Sequence, residues 1–348
     1  MKILVIGPAW VGDMVMSQAL YITLKQQHPD AIIDVIAPNW CKPILERMPE
    51  VNKAITMPIG HGELNLFGRR AIGRSLKDER YDQAIITPNS AKSALIPWFA
   101  KIAKRTGWKG EMRYGLLNDL RANKRDFTYM VERYVALAYP KKAMENSASL
   151  GGLSSLPKPN LTVDNQAQLR ALEKYALTTF QGKFVGLCPG AEFGPAKKWP
   201  NHHYAAVAQS LVEKGQHILL FGSQKDLETC EAICSLVNEE YQAQLHVLAG
   251  KTALIEAVDL LAACHSVVSN DSGLMHVAAS VGCNVIAIYG STSPEYTPPL
   301  SDSVEIVHTD ISCRPCFKRE CPLGHLKCLT ELAPEKVIAA IQRLSRQH

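Results

Sequence analysis

Short apolar runs alternate with stretches of helical periodicity from the first residues onward. Residues 2–6 form an apolar run ending at Gly7, residues 14–27 place Val15, Ala19, Ile22 and Leu24 at helical spacing, and residues 32–36 are apolar again. That order reads strand, helix, strand. It continues through 54–57, a polar helical stretch at 69–79, a run at 84–87 and an apolar segment over 93–103. Strands separated by helices predict a parallel sheet covered on both faces. Between residues 141 and 159 the pattern dissolves into Lys-Lys, Gly-Gly, Ser-Ser and two prolines, a linker composition. Beyond it strands are expected at 184–188, 217–221, Val247, 267–269 and 285–289, and helices at 166–176, 202–213, 228–236, 254–263 and 274–281. Pro334 suits the first position of a last amphipathic helix over 335–344. The expected organisation is therefore α/β throughout: a Rossmann-like domain over 1–155, another over 156–333, and a closing helix in 334–348 that has the option of packing back on the N-terminal domain.

Two such domains fit a chain of 348 residues. With 47% hydrophobic and 20% charged residues, the composition excludes a disordered, collagenous or coiled-coil chain. No apolar run approaches the ~20 residues needed to cross a bilayer, and the start lacks the sustained apolar core and cleavage site of a signal peptide. A cytoplasmic protein with an intact N-terminus is expected. Six of the ten cysteines are dispersed through apolar patterns, as reduced thiols are. The net charge of +5 is unevenly divided, because residues 1–150 hold 22 Lys and Arg against 14 Asp and Glu, whereas residues 151–348 hold 16 against 19. A basic first half suits an anionic partner, whether nucleic acid, a phosphorylated substrate or an acidic membrane surface; the other reading is a solvated surface.

Open parallel sheets bind ligands beyond the carboxyl ends of their strands, so the turns there carry the candidate chemistry. The first reads Gly7-Pro-Ala-Trp-Val-Gly12-Asp13. A phosphate loop needs a lysine where Asp13 stands, and a dinucleotide fingerprint needs a glycine where Ala9 stands. A carboxylate on a tight turn suits proton removal from a hydroxyl, or else it caps the following helix. A second turn, 189–200, brings Lys197 and Lys198 into a Gly/Pro-rich strand-to-helix connection, a grip for a diphosphate or simply a solvated pair. A third, 269–276, places Asn270, Asp271, Ser272 and Gly273 at a strand end, with His276 one turn inside the next helix. Backbone N–H groups and the helix dipole there suit an anion; Asp271 as a cap and His276 as a buried core residue are the alternatives. The chain contains no Asp-x-Asp, so neutralising a diphosphate falls to lysines and helix N-termini and no metal is expected in catalysis.

Four segments, 7–20 (GPAWVGDMVMSQAL), 105–119 (RTGWKGEMRYGLLND), 189–200 (PGAEFGPAKKWP) and 270–279 (NDSGLMHVAA), together resemble the heptosyltransferase family of lipopolysaccharide synthesis, and the similarity runs over nearly the whole chain. The resemblance implies a GT-B architecture, two Rossmann-like domains facing across a cleft, with the acceptor on the N-terminal domain and the sugar nucleotide on the C-terminal one. By it Asp13 matches the general base and Lys197 the cation beside the donor phosphate, with Lys198 adjacent. Asp271, Ser272, Gly273 and His276 match the donor-binding turn, and Asp226 falls near the acidic ribose contact, with Glu228 two residues away. The implied reaction moves L-glycero-D-manno-heptose from ADP-heptose, with inversion and no cofactor, to the first heptose of heptosyl-Kdo-lipid A. Transfer at another heptose of the same pathway is the alternative. Such an acceptor gives the basic half a reason, with Arg69, Arg70, Arg74, Lys101, Lys104, Arg105, Arg113 and Arg121 as candidate contacts. The protein would sit peripherally on the anionic inner face of the inner membrane and would not bind nucleic acid.

Cys313, Cys316, Cys321 and Cys328, with His325 nearby, have ligand types suited to a structural zinc or an iron–sulfur centre. The second pair is separated by six residues, where zinc ribbons have two, so reduced thiols or an adventitious disulfide compete with zinc. A nucleic-acid module built on the basic half and a cysteine knuckle is the different-class alternative; it predicts a steep salt dependence and no preference for ADP.

Overall fold

The computed structural model describes residues 1–60, 62–180 and 182–346; Gln347 and His348, at the end of the expected closing segment, lie outside the described residues. The chain divides into two compact units, Met1–Pro159 and Asn160–His348. In the first, β1 (Lys2–Ile6), β2 (Ile32–Pro38), β3 (Val51–Met57), β4 (Gln83–Ile86), β5 (Lys104–Trp108) and β6 (Asp119–Arg121) form one parallel sheet in the order β3-β2-β1-β4-β5-β6. In the second, β7 (Phe184–Cys188), β8 (His217–Leu220), β9 (Leu245–Val247), β10 (Ser266–Asn270), β11 (Asn284–Ile288) and β12 (Val304–Val307) run β12-β11-β10-β7-β8-β9. Counted from its own first strand, the second sheet repeats the order 3-2-1-4-5-6 of the first. Both are Rossmann-like sheets of the α/β class that the alternating pattern predicts.

The central strands are apolar on both faces because helices cover both. Ile3, Leu4 and Val5 in β1 and Val285, Ile286, Ala287 and Ile288 in β11 are fully buried. Strand order reverses between β1 and β4, and again between β7 and β10. At such switch points the chain leaves neighbouring strands in opposite directions and opens a crevice. The turns carrying Asp13, Lys197 and Asp271 follow β1, β7 and β10 respectively.

Two features depart from the pattern. The stretch 141–159 is not a loose linker: it is folded onto the first unit through short 3₁₀ turns, with Asn123 Nδ2 donating to the carbonyls of Met144 (2.9 Å) and Glu145 (2.7 Å) and Ser147 Oγ to Glu132 Oε2 (2.6 Å). The closing helix, Pro334–Ser345, buries Val337, Ala340, Ile341 and Leu344 at helical spacing within the second unit's core, beside the helix Asn201–Val212 and strands β11 and β12. Its apolar stripe is taken up there. No helix among the described residues is long and apolar enough to cross a membrane.

Candidate functional site

At the first switch point the helix Val11–Gln27 begins with Trp10 in the N-cap position, so half-buried Asp13 lies inside the first helical turn and not at its cap. The turn is pinned from β2 onward: Gly7 N donates to Ile36 O (2.9 Å), and Trp40 Nε1 (2.8 Å) and Cys41 Sγ (3.4 Å) donate to Ala9 O. Burial pushes the Cys41 thiol up to about 12, and the Asp13 carboxylate adds to the shift. Lys124 feels Asp13: burial, Arg133 and Arg113 lower its pKa, while Asp13 raises it. Lys124 was not among the candidates drawn from the sequence, because a lone lysine in a charged Asn-Lys-Arg-Asp run carries no spacing signal.

The basic candidates of the first unit separate into two kinds. Arg113, only 1% exposed, donates to the Trp108 carbonyl (Nε, 3.1 Å) and the Pro88 carbonyl (Nη1, 2.6 Å), and burial pushes it down to about 10. It thereby ties the turn after β4 to that after β5. Glu111 helps, accepting from Ala91 N at 2.8 Å. Buried Arg121 donates to the carbonyls of Ala136 and Tyr139, buried Arg69 to those of Glu63 and Leu64, and half-buried Arg105 to those of Ile102 and Leu116. A buried guanidinium already donating to carbonyls is a brace. These four residues are therefore corrected from anion contacts to structural groups, leaving Arg70, Arg74, Lys101 and Lys104 exposed.

The second switch point is a network of side chains. Lys197 Nζ is 2.6 Å from Asp271 Oδ2 and 3.3 Å from its carbonyl oxygen, and Thr292 Oγ1 donates to the same carboxylate oxygen at 2.6 Å. Asp271 therefore positions Lys197 and does not cap the helix Gly273–Ser280, whose N-cap is Ser272. Buried Asn270 joins three segments, donating to Pro189 O (2.6 Å) while its Oδ1 accepts from Trp199 N (3.2 Å) and Tyr204 OH (3.1 Å). Gly194 has φ +151°, and a Cβ there would lie 2.5 Å from the Arg319 carbonyl, so only glycine lets the turn carrying Lys197 approach that segment. His276 is buried behind the turn. Desolvation, only partly opposed by Asp271 and reinforced by Lys197, holds it down at about 4, so it is neutral near pH 7.

Asp226 is less available than the sequence suggests. Its Oδ2 accepts from Ser223 N (3.0 Å) and Ser223 Oγ (2.8 Å), and Lys198 Nζ stands 3.6 Å from Oδ1. Together with Ala191, Glu192, Gly194, Pro195 and Lys225, these two residues line an open pocket of about 270 Å³. Thr292, Lys225 and Glu192, like Lys124, were not among the candidates drawn from the sequence, and Asn270, placed there at its strand end, was given no role of its own. The run Gly222-Ser-Gln-Lys-Asp could have flagged Lys225, since it follows a strand end as the other candidates do.

Cys313, Cys316, Cys321 and Cys328 line one small cavity of about 20 Å³ with His325, Ala196 and Ser291. All ten cysteines are free thiols. Backbone N–H groups, Leu326 first, lower the Cys321 pKa, whereas burial raises that of Cys328. Among the described residues no group of three or more His, Cys, Asp or Glu side chains is arranged to hold a metal ion.

Residues 69–327 match glycosyltransferase family 9 (heptosyltransferase). The chain is 49% identical to lipopolysaccharide heptosyltransferase 2 of Escherichia coli (strain K12), covering 100% of this chain and 99% of that one. It is 51% identical to lipooligosaccharide heptosyltransferase 2 of Haemophilus influenzae, covering 99% of each. The solved structure of E. coli ADP-heptose LPS heptosyltransferase II superposes with a TM-score of 0.89 at 48% identity, over 100% of this chain and 99% of that one. An α/β chain with two sheets of this order, similar in sequence and fold to those proteins along its length, belongs to glycosyltransferase family 9, the heptosyltransferases.

Proposed function

We propose that this enzyme transfers L-glycero-D-manno-heptose from ADP-heptose to a hydroxyl of the first heptose on heptosyl-Kdo-lipid A, with inversion, in assembly of the lipopolysaccharide inner core. The observation that carries the reading is the 49% identity, end to end, with a lipopolysaccharide heptosyltransferase 2. The site geometry supports it. Asp13 removes the acceptor proton as the sugar carbon is attacked, while the ADP diphosphate leaves from the opposite face. Lys197, steadied by Asp271 and Thr292, and the N–H groups at Ser272 and Gly273 stabilise the charge that develops on the departing diphosphate. Lys198 and Asp226 flank the pocket beside them, where the nucleoside part of the donor is accommodated. The chemistry asks for no cofactor beyond the donor. The enzyme works peripherally on the anionic cytoplasmic face of the inner membrane, where its lipid-anchored acceptor lies, and nucleic acid is not a partner.

Purified enzyme mixed with ADP-heptose and heptosyl-Kdo-lipid A should add the mass of one heptose to the acceptor. Transfer only to Kdo-lipid A lacking heptose would move the enzyme one step earlier, and no transfer to either would overturn the reading. A structural zinc at the four clustered cysteines is tested separately, by elemental analysis of untagged protein; metal below about a tenth of an equivalent dismisses it.

A further inference from the structure

The segment between β3 and β4 presents an apolar tip that the fold of the first unit does not bury. Within four consecutive positions Leu64, Leu66 and Phe67 are 57%, 45% and 81% exposed. Large apolar side chains exposed singly are ordinary, but three together on one turn mark a contact surface. The tip is built and held. Buried Arg69 donates from Nε to Leu64 O (2.6 Å) and from Nη2 to Glu63 O (3.0 Å), and Asn65, with φ +35°, caps the helix Leu66–Ser75 by accepting from Gly68 N at 3.0 Å. A guanidinium spent on two carbonyls fixes the direction in which the neighbouring apolar side chains project.

Charge singles out the occupant. From Phe67 the same helix face continues through Arg70, Ala71 and Arg74, at positions i, i+3, i+4 and i+7, all exposed. Between Glu63 and Asp78 the chain carries Arg69, Arg70, Arg74 and Lys77 and not one carboxylate. An apolar tip with cations one and two turns behind it matches the boundary of an anionic bilayer, where acyl chains lie below and phosphates above. The geometry points to this tip, Leu64, Leu66 and Phe67 backed by Arg70 and Arg74, as the element that docks the protein on an anionic lipid surface. The inference rests on the reading that the acceptor is a membrane lipid, and it adds which residues enter the membrane.

The test is co-flotation with two kinds of vesicle, phosphatidylcholine alone and phosphatidylcholine mixed with phosphatidylglycerol, alongside turnover on a deacylated, water-soluble acceptor. Wild type should float with the anionic vesicles. Leu66→Ser/Phe67→Ser should weaken that partitioning roughly 10- to 100-fold through lost apolar burial, and each Arg→Glu reversal at Arg70 and Arg74 by at least about five-fold. Turnover of Leu66→Ser/Phe67→Ser on the soluble acceptor should match wild type, which also reports that the variant is folded. Equal flotation of the serine variant and wild type, or flotation of wild type with neither vesicle, overturns the docking assignment while the enzymatic reading stands. Absent turnover by wild type on every acceptor would instead fell the enzymatic reading.

Discussion

The two switch points share one strand order and differ in what is fixed at them. At the first, side chains reach backbone carbonyls: Trp40 and Cys41 pin that of Ala9, and Arg113 pins that of Pro88. At the second, the reactive side chains are themselves bonded together, with Asp271 receiving both Lys197 and Thr292 and Asn270 joining three segments. The difference is in keeping with the two tasks proposed above. On the proposed reading Asp13 meets the hydroxyl of each arriving acceptor, and the bonds to Ala9 and Pro88 hold the turns that carry and flank it. A cation serving a leaving group is most effective when its position is set before charge develops, because no reorganisation is then left to the reaction step.

The largest expected effect tests the first half of that contrast. Asp13→Asn should fold and bind ADP-heptose as wild type does, yet lose about 10²- to 10⁴-fold in kcat. Turnover near that of wild type would leave Asp13 as a helix-start residue alone and remove the base from the first switch point.

The second half is tested at Lys197. Lys197→Met should cost about 10²- to 10³-fold in kcat/KM. It also leaves the Asp271 carboxylate, 5% exposed, without its cation, so stability should fall by about 3–5 kcal/mol. Lys197→Met/Asp271→Asn removes both charges, and its melting temperature should recover while its turnover does not. Recovery of turnover along with stability would show that the pair is structural and that some other group serves the leaving diphosphate.

What the sequence disclosed and what it hid follow the same physics. The central strands β1, β7, β8 and β11 stand out as nearly unbroken apolar runs, and β2 and β10 show through the apolar residues around Asp34 and between Ser266 and Ser269. The outer strands β5 (Lys104–Trp108) and β6 (Asp119–Arg121) mix charges with glycine or are short, and β12 (Val304–Val307) carries Glu305, so no run marks them. At the second switch point Lys197, Asp271 and His276 are legible because they cluster within two strand-end turns. Thr292 enters from the turn after β11 and Lys124 from beyond β6, and neither position has a local pattern. The arginines were misleading for a different reason: composition reports a charge but not whether the guanidinium is already committed inside the fold, as Arg113 is to the carbonyls of Trp108 and Pro88 and Arg121 is to those of Ala136 and Tyr139 and to the Asp119 carboxylate.

Acid should separate the two units. Among the described residues, the histidines whose pKa burial depresses, His203, His217, His246, His265 and His276, all belong to the second unit. His276 falls from 6.5 to about 4, so the unfolded chain binds its proton more readily than the folded one. Its contribution is complete above about pH 6.5 and is lost as pH falls toward about 4. At pH 5 the loss from this one residue is about 2 kcal/mol. Thermal unfolding followed at pH 7.5 and pH 5 should show the second unit losing more stability than the first, and His276→Asn should reduce the difference. An equal loss in both units would mean that His276 is more solvated than its place behind the turn implies.

The smallest effect concerns ionic strength. Of the eight cations first considered for the acceptor, Arg70, Arg74, Lys101 and Lys104 are exposed, and exposed charges are the ones that salt screens. Raising ionic strength from about 0.1 M to about 1 M shortens the screening length from about 10 Å to about 3 Å. On the proposed reading the donor meets Lys197, whose side chain is 13% exposed and held against Asp271, where screening is weaker. The acceptor KM should therefore rise roughly 3- to 10-fold over that range while the donor KM moves less. Arg70→Gln/Arg74→Gln should flatten the acceptor's salt response and leave the donor's unchanged. Parallel shifts of the two constants would place the acceptor's charge recognition on buried groups, and the contrast between a screened first unit and a shielded second one would fail.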